Sequence, residues 1–333
     1  MKIAFFETKD WEREYIKTKL EEHDLEFYEE PLNLENADNV KSFEIISIFI
    51  YSKISPDILE KLPKLKLIVT RSTGFEHIDL EECKRRTILV SNVPSYGENT
   101  VAEHTFALIL SLSRNIHKSY LRTIRKDFSI EGLKGFDIKG KTLGVIGAGH
   151  IGLHVIKIAK GFGMKVLAYD TNQNKFLAEV LGFEYVPLKE LLNSSDIITL
   201  HVPYTKKTHH LIDKDAINQM KKDAILINTS RGGVIDTEAV IDGLSKKILA
   251  GVGIDVLETE DLIKEEKQLL YDEKRLEILG NLVKDHLLLS KDNVVYTPHI
   301  AFYSQEALER ILDTTIQNII SFMANSAQNL VMD

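Results

Sequence analysis

The run GAGHIG at residues 147–152 constrains the fold more than any other segment of the sequence. It follows the apolar run TLGVI and opens the helical pattern HIGLHVIKIAKGFG. Gly147 permits a tight turn, Gly149 lets the backbone approach a phosphate, and Gly152 lets the helix pack closely on the strand. The N-terminus of the helix then offers amide donors and a positive dipole to an anion. The pattern predicts a doubly wound α/β domain that binds a dinucleotide.

An acidic residue stands where such a domain binds the adenosine ribose. Asp170 ends the apolar run KVLAY, eighteen residues after Gly152. A carboxylate at this place accepts hydrogen bonds from both ribose hydroxyls and repels the 2′-phosphate of NADP. The next residues, TNQ at 171–173, include no arginine that could bind such a phosphate. The sequence therefore favours NAD over NADP.

Short apolar runs alternate with helical patterns along both halves of the chain, which is typical of parallel sheets covered on both faces. Within the first hundred residues the strand-like runs are KIAFFE, LEFYE, EIISIFIY, LKLIVTRS and ILVSNVP. Within residues 141–298 they are TLGVIG, KVLAYD, DIITLHVP, AILINTS, LAGVGIDV and NVVYTPH. The pattern predicts two α/β units, the second with a doubly wound open sheet.

Three further segments complete the predicted organisation. Residues 101–122 lack Pro and Gly and have apolar residues at helical spacing, so we expect one long helix that connects the units or forms a dimer face. The amphipathic tail at 304–323 predicts a helix that returns to the first unit. The charged stretch 258–292 predicts a helical insertion on the rim of the second sheet.

Composition narrows the class of protein. The chain carries 44% apolar and 28% charged residues and a net charge of −8, which is typical of a soluble globular protein and argues against binding to nucleic acid or an anionic membrane. Cys83 is the single cysteine, so we expect no disulfide, no metal cluster and a reducing, cytoplasmic location. We expect no signal peptide and no membrane span, because the start of the chain is charged and the apolar runs are short.

Reactive side chains follow three of the predicted strands of the second unit. Arg231 comes after AILINTS and His299 after NVVYTP, and an acidic stretch with Glu258, Glu260 and Asp261 comes after GIDV. Arginine binds a carboxylate with two parallel hydrogen bonds, histidine exchanges a proton near neutral pH, and a carboxylate orients the histidine. Parallel strands build their sites at their carboxyl ends. These residue types fit hydride transfer to a 2-oxo acid, but the pattern alone does not select among the three acidic residues.

The ordered motifs LGVIGAGHIG, HVPYTKKTHHLI, INTSRGGVIDTEAV, GIDVLETE and TPHIAFYS resemble the D-isomer-specific 2-hydroxyacid dehydrogenase family. The resemblance extends to RSTGFEHIDL and NVPSYGENTVAEHT and covers nearly the whole chain. Within the family, the NVPSY segment, HIAFYS and the long charged insertion are most similar to D-lactate dehydrogenases. The resemblance implies that Arg231, Glu260 and His299 are catalytic, with Glu260 selected by its position 29 residues after the arginine.

The resemblance also implies roles for further residues. The expected contacts of NAD are Gly147, Gly149, His150, Ile151, Gly152, Asp170, Val202, Pro203, Thr208, Thr229, Ser230, Arg231 and Asp255. Among these, Thr229 and Asp255 are expected to hold the nicotinamide carboxamide. The expected contacts of the substrate are Ser72, Thr73, Gly74, Tyr96, Arg231, Tyr51 and Phe302, with ordinary packing an open alternative for the aromatic residues.

The family architecture implies two Rossmann-like or flavodoxin-like doubly wound domains, with the cofactor domain inserted into the substrate domain. The expected substrate domain comprises residues 1–100 and 300–333, and the expected cofactor domain comprises residues 101–299. Closure between the domains is expected to exclude water from the substrate. The resemblance further implies a homodimer formed through the cofactor domain.

Pyruvate and D-lactate are the substrate pair that the resemblance favours. Other D-2-hydroxy acids stay open, namely 2-hydroxyisocaproate and the reduced forms of glyoxylate and hydroxypyruvate. A different class stays open as well, because the same motifs occur in NADH-binding transcriptional corepressors. Turnover of NADH with pyruvate separates an enzyme from such a regulator.

Overall fold

A computed structural model describes residues 1–258 and 283–331 of the chain. The chain folds into two compact units. Unit 1 contains Met1–Tyr96 and Ser304–Asp333, and unit 2 contains Gly97–Tyr303. Both ends of the chain therefore build unit 1, and unit 2 is inserted into it, which confirms the inserted architecture implied by the resemblance.

All strands of both units run parallel to their neighbours. The strands are β1 (Lys2–Phe5), β2 (Asp24–Phe27), β3 (Ile45–Ile48), β4 (Leu67–Thr70), β5 (Leu89–Ser91), β6 (Thr142–Ile146), β7 (Lys165–Tyr169), β8 (Glu184–Tyr185), β9 (Ile197–Leu200), β10 (Ala224–Asn228), β11 (Leu249–Ile254) and β12 (Val294–Tyr296). β8 is a short edge strand that the apolar runs did not predict.

The helices cover both faces of the two sheets. They are α1 (Asp10–Lys19), α2 (Pro56–Glu60), α3 (Leu80–Arg85), α4 (Glu98–Ser113), α5 (Ile116–Ile124), α6 (His150–Gly161), α7 (Lys175–Leu181), α8 (Leu188–Ser194), α9 (Lys214–Asn218), α10 (Thr237–Ser245), α11 (283–289) and α12 (Gln305–Met323). Two short 3-10 turns lie at Ala37–Val40 and Gly232–Val234.

Unit 1 has a five-stranded sheet in the order β2-β1-β3-β4-β5. Every residue of β3 and β4 is buried, as expected for central strands with helices on both faces. One face packs against α1 and α12, and the apolar side chains Ile16, Leu312 and Ile316 fill this layer. The predicted tail helix therefore belongs to unit 1. Ser304 caps its start by accepting a hydrogen bond from the amide of Ala307.

Unit 2 has a seven-stranded sheet in the order β12-β11-β10-β9-β6-β7-β8. The chain runs outward from β6 to β8 and then returns to β9 on the other side of β6. The order therefore reverses between β6 and β9, and in open α/β sheets ligands bind at such a switch point, beyond the carboxyl ends of the strands. Apolar cores lie on both faces of this sheet.

The prediction of one helix over residues 101–122 is wrong, because the segment breaks into α4 and α5. Asn115 has a left-handed backbone with φ of 52°, which ends the regular helix. The free carbonyl of Ser113 accepts a hydrogen bond from the amide of Phe136 at 2.9 Å. Gly135 permits this approach, since a Cβ there would lie 2.2 Å from the oxygen of Ser113. Contacts with the later segment thus override a continuous helical pattern.

Most of the predicted insertion at 258–292 lies outside the described residues. Within its described part, residues 283–289 form α11 and lead into β12. Among the helices of the described ranges, none has the length and apolar character needed to cross a membrane.

Candidate active site

The glycine-rich segment, here named the cofactor turn (residues 147–152), links β6 to α6 at the switch point of unit 2. Gly147 has a φ of +95°, and a Cβ on it would lie 2.5 Å from the carbonyl oxygen of His201. A Cβ on Gly152 would lie 2.0 Å from the carbonyl oxygen of Gly147. Glycine is therefore needed at 152 for the turn to close on itself, and at 147 because the segment after β9 lies against the turn.

Gly149 differs from the other two glycines because a Cβ on it would meet nothing within 4 Å. The space beside its backbone is open, and α6 begins at the next residue, His150. The amides of the first helical turn, including those of His150 and Ile151, have no carbonyl partner within the helix. Open space in front of free amides fits the pyrophosphate of a dinucleotide.

Asp170 lies at the end of β7 and contacts the cofactor turn directly. Its Oδ2 accepts a hydrogen bond from the amide of Ala148 at 2.8 Å, and its Oδ1 accepts one from the amide of Asn172 at 2.8 Å. The carboxylate is partly exposed and each oxygen keeps a second acceptor position. Asp170 is thus fixed beside the cofactor turn in a position that suits ribose binding.

The segment after β9 lies on the other side of the switch point. Val202 packs against the core, Pro203 is exposed, and Thr208 donates a hydrogen bond to the carbonyl of Pro203 at 2.6 Å. His201 precedes them and shares a hydrogen bond of 2.9 Å with the hydroxyl of Thr199. Although His201 is only half-buried as a whole, its Nδ1 is inaccessible and lacks a partner among the described residues. Burial lowers the pKa of His201 to about 3.

A buried asparagine that the sequence reasoning missed shapes the turn after β10. The Oδ1 of Asn228 accepts hydrogen bonds from the amide and the hydroxyl of Ser230, and its Nδ2 donates to the carbonyl of Arg231 at 3.0 Å. The side chain of Arg231 is exposed beyond this turn, where its Nη1 donates to the carbonyl of Ser230. Thr229 is buried and contacts the hydroxyl of Thr105 on α4 at 3.0 Å.

The segment after β12, here named the histidine loop (residues 297–301), carries His299. His299 has a φ of +54°, which is uncommon for a residue with a side chain. Its amide donates to the carbonyl of Asp255 at 2.8 Å, and its ring meets the ring of Phe302 edge-on at 6.2 Å between centroids. Phe302 therefore packs against the predicted catalytic imidazole.

Asp255 ends β11 and is almost completely buried, at 1% exposure. Its carboxylate accepts hydrogen bonds from the hydroxyl of Thr297 at 2.5 Å and from the amides of Ile300 and Ala301 at 3.0 and 2.9 Å. His104 on α4 lies 3.5 Å from the same carboxylate. Asp255 thus binds the histidine loop on both sides of His299.

Arg231, Asp255 and His299 follow three strands that are adjacent in the sheet, β10, β11 and β12. Their backbones therefore leave the sheet at one edge. Glu260, the predicted partner of His299, lies outside the described residues. Glu258 is described, and its carboxylate pairs with the imidazole of His210 at 2.6 Å and accepts from the hydroxyl of Thr237 at 3.1 Å.

The predicted substrate turn at 72–74 follows β4 in unit 1. The hydroxyl of Ser72 donates to the carbonyl of Gly74 at 2.6 Å, and Thr73 donates to the carbonyl of Val93 at 2.9 Å. Asn92 donates to the carbonyl of Thr73 at 2.8 Å, which the motif gave no reason to expect. The turn is therefore held from both sides by side chains and backbone of unit 1.

The two predicted pocket tyrosines of unit 1 differ in exposure. Tyr51 is 55% exposed, and its amide donates to the carboxylate of Glu7 at 2.9 Å. Tyr96 is half-buried, and its carbonyl accepts from the guanidinium of Arg310 at 2.5 Å. Phe302, the third predicted aromatic contact, belongs to unit 2.

No group of three or more His, Cys, Asp or Glu side chains that could hold a metal ion occurs among residues 1–258 and 283–331.

Comparison with known proteins gives concordant findings. Residues 106–301 match the family model for the D-isomer specific 2-hydroxyacid dehydrogenase, NAD binding domain. A 2-hydroxyacid dehydrogenase homolog of Haemophilus influenzae is 40% identical over 100% of this chain and 99% of its own length. A D-lactate dehydrogenase of Escherichia coli is 38% identical over 96% of each chain. The crystal structure of a D-lactate dehydrogenase from Aquifex aeolicus, complexed with NAD and lactic acid, is 38% identical with a TM-score of 0.85 over 99% of each chain.

Proposed function

This chain belongs to the D-isomer-specific 2-hydroxyacid dehydrogenase family, and we propose that it interconverts pyruvate and D-lactate with NADH and NAD. The observation that carries the proposal is the placement of Arg231, Asp255 and His299 after three adjacent strands of an NAD-binding domain. The similarity to D-lactate dehydrogenases over nearly the full chain supports the choice of substrate.

In the proposed reaction, Arg231 binds the carboxylate of the 2-oxo acid through its planar guanidinium. NADH, when bound, supplies a hydride to the carbonyl carbon. His299 donates a proton to the carbonyl oxygen, so that pyruvate, NADH and one proton give D-lactate and NAD. In the reverse direction the neutral imidazole accepts the proton of the hydroxyl group.

Glu260 is the proposed partner that orients His299. The alternative, Glu258, already pairs with His210 and accepts a hydrogen bond from Thr237. A carboxylate held in that way would have to break both contacts to reach another imidazole. The described contacts therefore favour Glu260, and the pH profile of a Glu260→Gln variant compared with Glu258→Gln tests the choice.

The cofactor of the family domain is NAD, and the cofactor turn fits its pyrophosphate. We propose that Asp170 binds the adenosine ribose, and that Val202, Pro203 and Thr208 line the adenosine side. We place the nicotinamide at the other end, near Thr229, Ser230 and Asp255. Because Asp255 is buried and accepts two hydrogen bonds at Oδ1 and one at Oδ2, its proposed contact with the carboxamide uses the acceptor position that remains on Oδ2.

For the residues of unit 1, we propose that the backbone of Ser72, Thr73 and Gly74 contributes to carboxylate binding. Tyr51 and Tyr96 are proposed substrate contacts, and Phe302 of unit 2 is a third. Substitution of each aromatic residue by leucine, with the Michaelis constants of pyruvate and 4-methyl-2-oxopentanoate as readout, separates substrate contact from packing.

A second copy of this chain is the proposed partner of unit 2. α5 and the segment after it expose Tyr120, Ile124, Phe128 and Ile130, at 64%, 60%, 76% and 86%. Apolar side chains clustered in this way on a surface mark an interaction site. Light scattering should give the mass of a dimer, and Ile130→Asp together with Phe128→Asp should shift it toward the monomer.

We also propose a cytoplasmic location, for which the state of Cys83 gives support. The thiol is buried, and burial raises its pKa to about 12, so it stays protonated and unreactive. Because Cys83 is the single cysteine of the chain, it cannot form a disulfide within the chain, which is typical of proteins in a reducing compartment.

The substrate proposal is tested by kcat/KM for a panel of 2-oxo acids with NADH. The panel contains pyruvate, 2-oxobutyrate, 4-methyl-2-oxopentanoate, phenylpyruvate and glyoxylate. We expect the highest value for pyruvate. A higher value for glyoxylate or for a bulky 2-oxo acid would assign a different substrate, and no turnover with any of the five, despite NADH binding, would indicate a regulatory protein.

A further inference from the structure

The backbone of the histidine loop needs outside support because His299 adopts a left-handed conformation. For a residue with a side chain this conformation is unfavourable, because the Cβ comes close to the following carbonyl oxygen. The amide of His299 is held by the carbonyls of Asp255 and Thr297, at 2.8 and 2.9 Å. The orientation of the imidazole therefore depends on whatever fixes Asp255 and Thr297 in place.

The carboxylate of Asp255 and the hydroxyl of Thr297 form a hydrogen-bond chain with His104. The Nε2 of His104 lies 2.9 Å from the hydroxyl oxygen of Thr297, although the two residues are 193 positions apart. The same hydroxyl lies 2.5 Å from the carboxylate of Asp255. The hydroxyl of Thr297 is the donor in this bond, so its single proton is committed to Asp255.

The direction of the hydrogen bond between Thr297 and His104 then follows. With its proton committed to Asp255, the hydroxyl oxygen of Thr297 can only accept from the imidazole of His104, so Nε2 of His104 carries the hydrogen. Burial lowers the pKa of His104, while the nearby Asp255 raises it, and burial is the larger effect. His104 is therefore neutral at neutral pH, with one defined tautomer.

The next residue of α4, Thr105, contacts a second segment of the candidate site, the turn after β10. The hydroxyl of Thr105 donates to the carbonyl of Val101 at 2.8 Å, so it can only accept from the hydroxyl of Thr229, 3.0 Å away. Thr229 precedes Ser230 and Arg231 in the turn after β10. Consecutive residues of one helix thus contact the segments that carry Arg231 and His299.

We propose that His104 is a positioning residue for catalysis: through Thr297 and Asp255 it holds the histidine loop in the conformation that aims His299. The assignment of His299 as proton donor comes from the proposed function, and on that point this inference rests on it. His104 itself touches neither substrate nor cofactor in this account. The alternative is that His104 only fills space between α4 and β12.

A matched control is available on α5. His117 is also half-buried, and its Nε2 lies 3.1 Å from the carbonyl of Asp292, just before β12. His104 and His117 therefore bond to the two ends of the same strand, and only His104 bonds to the end that carries His299. The same substitution at His104 and at His117 removes a contact at one end of β12 in both cases. Only the substitution at His104 removes a contact to the histidine loop.

The test compares His104→Leu, His104→Gln and His117→Leu in the full-length enzyme, by steady-state kinetics, NADH titration and thermal unfolding. Leucine removes the donor, whereas the glutamine amide keeps a donor at nearly the same reach. We expect His104→Leu to lower kcat by ~10- to 100-fold, the scale of a misplaced catalytic group. NADH affinity should stay within about threefold, since the cofactor turn is unchanged and Asp255 keeps its bonds to the amides of Ile300 and Ala301. His104→Gln should recover most of kcat.

Activity of His104→Leu close to wild type would overturn the proposal. So would equal losses in the glutamine and leucine variants, because then only the shape of the imidazole matters. An equal loss in His117→Leu would assign the effect to general support of β12. The kinetic arms use whichever 2-oxo acid the wild-type enzyme reduces fastest, so an error in the substrate does not affect the comparison.

A second measurement is independent of turnover and of the proposed function. Nitrogen-15 NMR of the labelled imidazoles, with His104→Gln to assign the signal, reports the tautomer of His104. We expect the hydrogen on Nε2 at pH 7. A hydrogen on Nδ1, or a rapidly averaged signal, would contradict the hydrogen-bond chain even in a protein that reduces no 2-oxo acid.

Discussion

The cofactor turn and the histidine loop both follow strands of one parallel sheet, but different interactions hold them. The cofactor turn closes largely on itself, since the carbonyl of Gly147 occupies the place of a Cβ on Gly152, and Asp170 on the adjacent strand holds the amide of Ala148. The histidine loop is fixed by Asp255 on the adjacent strand and by His104, 193 positions earlier in the chain. The glycine spacing of the cofactor turn can thus be recognised from local sequence, whereas the conformation of the histidine loop depends on the packing of distant elements.

The largest expected effect concerns the histidine loop and the turn after β10. His299→Gln should lower kcat/KM for pyruvate by ~1,000-fold or more, because it removes the proton donor. Arg231→Ala should cause a loss of similar size through the Michaelis constant and kcat together. Steady-state kinetics measure both losses, and NADH affinity and the unfolding temperature serve as controls. A change of less than tenfold in kcat/KM of either variant would remove that residue from the proposed catalytic set.

The next effect separates two glycines of the cofactor turn. Gly152→Ala should destabilise the protein by about 3 kcal/mol or more, since its Cβ would overlap the carbonyl of Gly147. Gly149→Ala should leave the unfolding free energy nearly unchanged, because open space surrounds that position. It should still weaken NADH binding at least ~tenfold, which corresponds to about 1.4 kcal/mol, because the methyl group takes the space of the pyrophosphate. Urea unfolding and NADH fluorescence titration measure the two effects.

If both alanine variants unfold alike, the turn closes differently from the structure described above. If Gly149→Ala binds NADH like the wild type, the pyrophosphate does not lie beside Gly149. Either result would remove the contrast between a locally encoded cofactor turn and a remotely supported histidine loop.

A smaller effect concerns cofactor choice. Asp170→Asn keeps an acceptor for the amide of Ala148 but removes the charge that repels a 2′-phosphate. We expect the preference for NADH over NADPH to fall about tenfold, the scale of one charge-assisted hydrogen bond. The ratio of kcat/KM for the two cofactors is the measurement. An unchanged ratio would mean that a group other than Asp170 discriminates between the two cofactors at the ribose.

The smallest expected effect concerns His201, which lies beside the cofactor turn. Its protonation should make the free energy of unfolding depend on pH. Its pKa of about 3 in the folded state lies below the ~6.5 of an unfolded histidine. As the pH falls below about 6.5, the unfolded chain binds a proton that the folded chain excludes, so the free energy of unfolding decreases. Between pH 7 and pH 5 this should amount to up to about 2 kcal/mol.

His201→Gln should lack this contribution while keeping a partner for Thr199. Urea unfolding of both proteins at pH 7 and pH 5 measures it, and the variant should lose less stability than the wild type. Equal losses would show that protonation of His201 does not oppose folding. Above pH 7 the two curves should run parallel, because the imidazole is neutral in both states.

Much of the fold could be predicted because apolar runs and helical spacing are local properties. The two parallel sheets, the cofactor turn and the returning helix at 305–323 all follow from such patterns. The break between α4 and α5 could not be predicted, because the chain at Gly135 and Phe136 supplies the contact that ends α4. The spacing of apolar residues predicts a helix, but it does not show where a distant segment will bind one of the helix carbonyls.

The residues of the candidate site also fall into those that local sequence predicts and those that depend on distant contacts. Arg231 and His299 stand out because strand ends and residue chemistry identify them. Asn228, Thr297 and His104 carry no such signal, since their roles arise from hydrogen bonds to backbone and side chains that only the folded chain brings near. The residues that hold a candidate catalytic side chain in place are therefore harder to predict than the candidate itself.

We propose above all that this chain reduces a 2-oxo acid to the D-hydroxy acid, with pyruvate as the substrate. The most direct measurement incubates the wild-type enzyme with pyruvate and NADH and resolves the product by chiral chromatography. We expect D-lactate, with one NADH consumed for each molecule formed. L-lactate, a racemic product, or no oxidation of NADH would contradict it.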